Sequence, residues 1–343
     1  MSQDSDVLIR REGRAGRITM NRPKALNALT YPMVGEIERA LLAWQADQAV
    51  DLVILDGAGE RGLCAGGDVR SLYDARTEGS GFARTFWRDE YRLNTLIHRY
   101  KKPFVPIMDG IVMGGGIGLS GHASHRIVTE KSMLAMPETT IGLIPDVGGT
   151  WLLSRAPGAT GPYLGLMGHR MNAADALYAG FADTMVATAK LPALIEVLCK
   201  TREPVSVAIA QAAAAPHPSH LADHRAEIDK AFRHDSVEAI RDALAGMTSD
   251  WAKKTLADFE VRSPLAMKAT LAAITRARKL GTLEEALDVE LRLCSHLYEH
   301  GEFIEGVRAL LVDKDKSPKW SPSRLEDVTP AMVEALFQPV SAT

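Results

Sequence analysis

Apolar residues follow two rhythms along this chain. Up to about residue 185 they come in short β-rich runs interleaved with helical periods; from about Leu191 only the helical period remains. Val7 to Ile9 and Arg17 to Met20 read as short strands joined by the turn Glu12-Gly13-Arg14-Ala15-Gly16. Asn21-Arg22-Pro23 breaks the second strand. Met33, Ile37, Ala40, Leu41 and Trp44 then recur at helical spacing. Val50 to Leu55 is a buried-strand pattern that runs into a glycine stretch. Arg84 to Tyr100 is predicted helical, with Phe86, Leu93, Leu96 and Ile97 on its apolar face. Phe104 to Met108, Arg126 to Thr129 and Met133 to Ala135 are further strands. Pairs of short strands thus precede helices, an α/β pattern that a plain βαβ repeat does not fit.

Beyond Leu191 the predicted helices are Leu191 to Cys199, Val237 to Met247, Trp251 to Arg262, Pro264 to Leu280, Leu283 to His300 and Phe303 to Leu311. Ala212 to Pro218 reads as a linker, and Ser317 to Ser323 as another irregular stretch. The texture divides the chain into an α/β region, 1–190, and a helical region, 191–343.

Composition narrows the class. The chain has 343 residues, 46 % of them hydrophobic, enough for a sizeable core. A net charge of −3 gives no reason to expect nucleic acid or an anionic membrane as partner. Three scattered cysteines, Cys64, Cys199 and Cys294, make no disulfide framework. With a polar, acidic start and no run of about 18 apolar residues, the expectation is a cytoplasmic protein.

Two glycine turns carry the candidate chemistry. One is Gly62-Leu-Cys-Ala-Gly-Gly-Asp-Val-Arg70, the other Gly114-Gly-Gly-Ile-Gly118; each follows an apolar run. Glycine at that density allows backbone to approach backbone or ligand closely. Two such turns can aim two N–H groups at one oxygen, as an oxyanion hole requires. Gly116-Ile-Gly118-Leu-Ser-Gly121 also spells G-x-G-x-x-G, but it lies over 100 residues in, and Glu138 fits the acidic ribose partner only loosely. Tight turns without a ligand are the third reading.

Downstream stand two carboxylates among apolar neighbours, in Met136-Pro-Glu138 and Ile144-Pro-Asp-Val-Gly-Gly-Thr150. Buried carboxylates suit acid–base or nucleophilic work. The competing readings are a surface ion pair for Glu138 and a helix N-cap for Asp146. Asp68 and Asp109 read as turn or cap residues, Cys64 as a buried structural thiol, and Glu90 as a solvated helix residue. The histidine groups His217/His220/His224 and His296/His300 lack a convincing further ligand, so no metal is expected.

Taken together, Ile18-Thr-Met-Asn-Arg-Pro23 with Ala25-Leu-Asn-Ala28, Cys64-Ala-Gly-Gly-Asp68, Asp109-Gly-Ile-Val-Met-Gly-Gly-Gly-Ile-Gly118, Met136-Pro-Glu138 and Gly142 to Thr150 resemble the crotonase, or enoyl-CoA hydratase/isomerase, superfamily over roughly residues 7 to 190. The resemblance implies a spiral of ββα units with a helical C-terminal region that closes the acyl-CoA site or mediates oligomer contacts. It implies an acyl-CoA substrate, no other cofactor, and an oxyanion hole from the N–H groups of Gly67 and Gly115. Hydratases of the superfamily use two glutamates. Here one position holds Gly118, the other Glu138, and Asp146 stands where a hydratase usually has glycine. That combination, with Glu90 in Asp-Glu-Tyr-Arg-Leu-Asn94, resembles the branch that hydrolyses 3-hydroxyisobutyryl-CoA in valine breakdown. The implied catalytic pair is Glu138 and Asp146, with Glu90 and Gly115 also at the substrate and Arg70 a weak candidate for the CoA phosphates. A hydratase or isomerase, or a catalytically silent acyl-CoA-binding protein, are the alternatives.

Overall fold

The computed structural model describes residues 5–78 and 81–340. Its contacts divide the chain into two units that interleave in sequence: 1–67, 89–135 and 170–220 form the first, and 68–88, 136–169 and 221–343 the second. This partition follows contacts and differs from the division by texture at residue 190.

The first unit holds every named strand. β1 (Val7–Glu12) and β2 (Ala15–Met20) form an antiparallel hairpin around Gly13-Arg14, with Glu12 opposite Ala15. Gly13 has φ +58, a conformation costly for a side chain, and an added Cβ would meet the Cys199 carbonyl oxygen at 2.1 Å. After helix α1 (Tyr31–Ala46) come β3 (Leu52–Gly57) and β4 (Gly62–Cys64), later β5 (Phe104–Met108) and β6 (Ile111–Met113), then β7 (Ile127–Val128) and β8 (Met133–Ala135), and finally β9 (Thr184–Met185). Strand order is β1-β2-β3-β5-β7-β9 in one sheet and β4-β6-β8 in the other. Past the β1–β2 hairpin, which stays in the larger sheet, each of the pairs β3/β4, β5/β6 and β7/β8 sends its first strand to one sheet and its second to the other. This is the ββα spiral, and it explains why paired short strands preceded helices in the sequence.

The short members were hidden. β4 has three residues and lies inside the first glycine turn, and β6, also three residues long, runs directly into the second, so the glycines beside them masked both. The core on one face of the larger sheet joins Leu52, Ile54, Val105 and Ile107 to Leu191, Leu194 and Leu198, and to Ala208 and Ile209. Those last residues come from the helices Leu191–Lys200 and Val205–Ala212.

The second unit is helical. Its central helix, Pro264–Ala277, is capped by Ser263, whose hydroxyl accepts from Ala266 N at 3.1 Å, and buries residues from Pro264 to Ala277 on several sides. It packs on α5 (Gly149–Arg155) and α6 (Thr160–Met167), which follow α2 (Val69–Ala75), α3 (Gly81–His98) and α4 (Gly115–Ser120) in the chain. Gly165 permits the approach: a Cβ there would stand 2.7 Å from Ile274 Cδ1. The helix Leu283–His300 begins with a reciprocal capping box of Thr282 and Glu285.

Candidate active site

In the first unit, parallel pairing of β4 with β6 (Gly62 beside Ile111, Cys64 beside Val112) brings the turns that follow them side by side. Gly66 has φ +118 and Gly114 φ +46, so both turns use backbone conformations that L side chains rarely adopt. The segment Leu26-Asn27 clamps the first turn. Ala65 N donates to Leu26 O at 3.0 Å, Leu29 N donates to Gly66 O at 2.9 Å, and the Asn27 amide donates to the carbonyls of Ala58 and Gly62. Leu26 and Asn27 hold φ of 52 and 57 to do so. Sequence reading identified this motif without its task.

A Cβ on Gly116 would lie 2.3 Å from Cys64 O, so only glycine lets α4 seat against β4. A Cβ on Gly115 would lie 2.7 Å from Glu90 Oε1 and 3.1 Å from Gly67 N. Gly115, the Gly67 N–H and the Glu90 carboxylate thus face one small space. Neither the Gly67 nor the Gly115 N–H has a hydrogen-bond partner among the described residues. The dinucleotide reading fails here. Gly116, Gly118 and Ser120 sit within a six-residue helix whose residues are all buried, so this fingerprint offers no open loop to a pyrophosphate.

Glu90 is 3 % exposed, which corrects its reading as a solvated residue. The signal was present: on α3 the buried positions are Ala83, Phe86, Trp87, Glu90, Tyr91, Leu93, Asn94 and Ile97, so Glu90 sits in the middle of the apolar stripe. Leu96 is only half-buried. Asn94, one turn beyond Glu90, is fully buried, and neither polar atom of its amide has a partner among the described residues. Cys64 donates to Gly66 O at 3.4 Å, and burial pushes its thiol up to about 12, a structural thiol and not a nucleophile.

In the second unit, Glu138 opens the short helix Glu138–Ile141. Arg262 fastens that helix, donating to Thr140 Oγ1 and Met167 O at 2.6 Å each, while Thr139 donates to Leu166 O. Glu138 is 6 % exposed, and its Oε2 has no partner among the described residues. Burial first, then the charge of Asp146, holds its carboxyl well above the usual range, with Glu290 adding to the rise. Asp146 is buried too, and its carbonyl accepts from Gly149 N at 2.6 Å. The N-cap position of α5 is Gly148, at φ +81, two residues past Asp146, so the N-cap reading is corrected.

Glu290 was missed altogether. It reaches the same turn from the helix Leu283–His300. Its Oε2 accepts from Gly148 N at 2.7 Å, and its Oε1 accepts from Thr150 N at 3.0 Å and from the Thr150 hydroxyl. Burial pushes it up to about 8, against the pull of those donors. A glutamate 140 residues downstream in an ordinary helical pattern carries no local sign of such a task.

Other candidates fall elsewhere. Asp68 caps α2, accepting from Ser71 N at 3.3 Å. Asp109 accepts from the hydroxyls of Thr129 and Thr188. Arg70 is exposed and paired with Asp74 at 3.0 Å. His224 stacks on Trp251 and pairs with Glu227, and His296 meets Gln338 O. Among the described residues, no three His, Cys, Asp or Glu side chains form a group that could hold a metal ion, and no helix is long and apolar enough to cross a membrane.

Two strand-end glycine turns in a ββα spiral, with a buried glutamate three residues past β8, define a crotonase-like protein. The chain belongs to the enoyl-CoA hydratase/isomerase family, whose model matches residues 15–337. Among its relatives, 3-hydroxyisobutyryl-CoA hydrolase, mitochondrial, of Gallus gallus is 40 % identical over 345 residues, 98 % of this chain and 89 % of that protein. The protein of the same name from Xenopus tropicalis is 41 % identical over the same shares of each chain. Among solved structures, a carnitinyl-CoA dehydratase from Mycobacterium thermoresistibile matches with TM-score 0.94 and 45 % identity over 98 % of this chain and 97 % of its own. An enoyl-CoA hydratase from Rhodobacter sphaeroides matches with TM-score 0.92 and 44 % identity over 98 % of each.

Proposed function

We propose that this protein hydrolyses the thioester of 3-hydroxyisobutyryl-CoA, or of a similar short β-hydroxyacyl-CoA, to the free hydroxy acid and CoA, as a step of valine breakdown. The observation that carries the proposal is the buried, electrostatically coupled pair Glu138 and Asp146, in a chain that holds Gly118 where a hydratase keeps its second glutamate. Addition of water to a double bond uses two glutamates; with one replaced by a buried glycine, the remaining acid suits attack at a carbonyl. The names of the relatives at about 40 % identity support the same reaction.

In the proposed mechanism the N–H groups of Gly67 and Gly115 polarise the thioester carbonyl and take up the oxyanion charge, an effect of about 3 kcal/mol per donor. Glu138, once ionised, either attacks the carbonyl carbon to give a mixed anhydride and expel the CoA thiolate, or removes a proton from the attacking water. Burial and the charge of Asp146 raise its pKa, so it gives up its proton less readily than an ordinary glutamate and is a stronger base once ionised. Asp146 orients the substrate hydroxyl or the hydrolytic water, and Glu90 contacts the polar end of the acyl group. Arg70 meets the CoA phosphates. The backbone hole supplies the electrophilic assistance, so the proposal calls on no cofactor beyond the CoA of the substrate and on no metal. Three buried free cysteines agree with the reducing cytoplasm in which we place the protein, as a homo-oligomer.

The test is incubation with 3-hydroxyisobutyryl-CoA and a thiol reagent. Release of CoA well above background is expected. No release, together with efficient hydration of crotonyl-CoA, refutes the proposal in favour of the second reading, a hydratase or dehydratase, which the names of the two solved relatives favour. Tight binding of the CoA ester without any turnover identifies a silent binding protein.

A further inference from the structure

We propose that Glu290 is a positioning residue of the reaction: it fixes the turn that presents Asp146, by gathering the N–H groups of Gly148 and Thr150 and the Thr150 hydroxyl on one carboxyl group. The inference rests on the catalytic reading of Asp146 given above.

Asp146 leads into two residues of left-handed backbone, Val147 at φ +53 and Gly148 at φ +81. A β-branched residue resists that conformation, so Val147 keeps it only where its surroundings enforce it. The first N–H groups of α5 have no acceptor within the helix, and its N-cap residue has no side chain to supply one. Glu290 fills that role from outside, with hydrogen bonds of 2.7 Å to Gly148 N and 3.0 Å to Thr150 N, and a third from the Thr150 hydroxyl. Its helix is 18 residues long and capped at its start, a stiff support for the turn.

A local Ser or Thr cap would satisfy one of these donors without burying a charge-bearing group. A carboxyl that is 0 % exposed is a costly substitute, and it adds a third acid to the neighbourhood of Glu138 and Asp146. What it adds over a local cap is geometry. Two oxygens spread over Gly148 and Thr150 fix both the position and the tilt of the turn, and so the direction in which Asp146 leaves it.

Glu290→Gln keeps the volume but replaces one acceptor oxygen by a donor, so at least one turn N–H loses its partner. The expected result is a fall in kcat of about 10- to 100-fold, the scale of a displacement near 1 Å, with KM within about threefold. In an Asp146→Asn background the same substitution is expected to cost nothing further, because its effect passes through Asp146. Thr150→Val removes only the hydroxyl donor and should show a smaller loss with the same dependence on Asp146; Thr150→Ser should restore activity. That series carries the test if Glu290→Gln does not fold. Unchanged kcat, or an equal loss with and without Asp146, overturns the positioning role. Parent-level activity in Asp146→Asn alone overturns the catalytic reading of Asp146, and the proposal with it.

Discussion

Gly115→Ala is the substitution that tests the oxyanion hole most directly. The added methyl would stand 2.7 Å from Glu90 Oε1 and 3.1 Å from Gly67 N. The carboxylate end of Glu90 can swing away. The Gly67 amide cannot, because its turn is fastened by the hydrogen bond from Leu29 to Gly66 and by the one from Ala65 to Leu26. The methyl therefore covers the space in front of one donor and crowds the other. Loss of a single oxyanion donor costs about 3–4 kcal/mol, or 10²- to 10³-fold in kcat, and that is the loss expected here at the least. Stability should move little. Alanine at the first position of α4 gains up to about 1 kcal/mol over glycine, which offsets displacement of Glu90. CoA release gives the rate, and thermal unfolding gives the stability. Gly81→Ala, where an added Cβ meets nothing within 4 Å, is the matched control. An alanine variant at position 115 that melts like the parent and turns over within about threefold of it would remove Gly115 from the mechanism.

Three further outcomes are expected. Glu138→Gln should lose about three orders of magnitude or more in turnover with its fold retained by circular dichroism; near-normal turnover excludes Glu138 as nucleophile or base. The acid limb of kcat/KM should lie well above the ordinary glutamate range, because burial and Asp146 raise Glu138, and Asp146→Asn, which removes a like charge, should shift that limb to lower pH; a limb unmoved by this change denies the coupling. Glu290 holds its proton up to about pH 8 in the folded chain against 4.5 as its unperturbed value, so the folded state binds more protons across that window and stability falls as pH rises from about 4.5 to 8. Glu290→Gln should flatten that fall in denaturant titrations taken at several pH values, and an identical slope in the variant contradicts the buried-proton assignment.

The sequence by itself determined the family and the two glycine turns, and it marked Glu138, Asp146 and Gly118 as candidate site positions. Those features are local: glycines where the backbone needs freedom, acids in apolar runs, short strands repeated in pairs. It also specified the capped helices near the C-terminus, such as Leu283–His300, because caps and helical periods are written within a few residues. Only the tertiary structure decided which acids are buried together. Glu90 reads as a surface residue until α3 is seen to bury the stripe that contains it. Glu290 is one more helical glutamate until a turn 140 residues earlier is found hydrogen-bonded to it. The physical reason is that burial and long-range hydrogen bonding depend on which surfaces meet, and local periodicity reports only that a surface exists. The opening pattern of short strands and glycines therefore pointed to the candidate turns and acids, while the electrostatics of those acids, with Glu138, Asp146 and Glu290 in one buried neighbourhood, came from the fold.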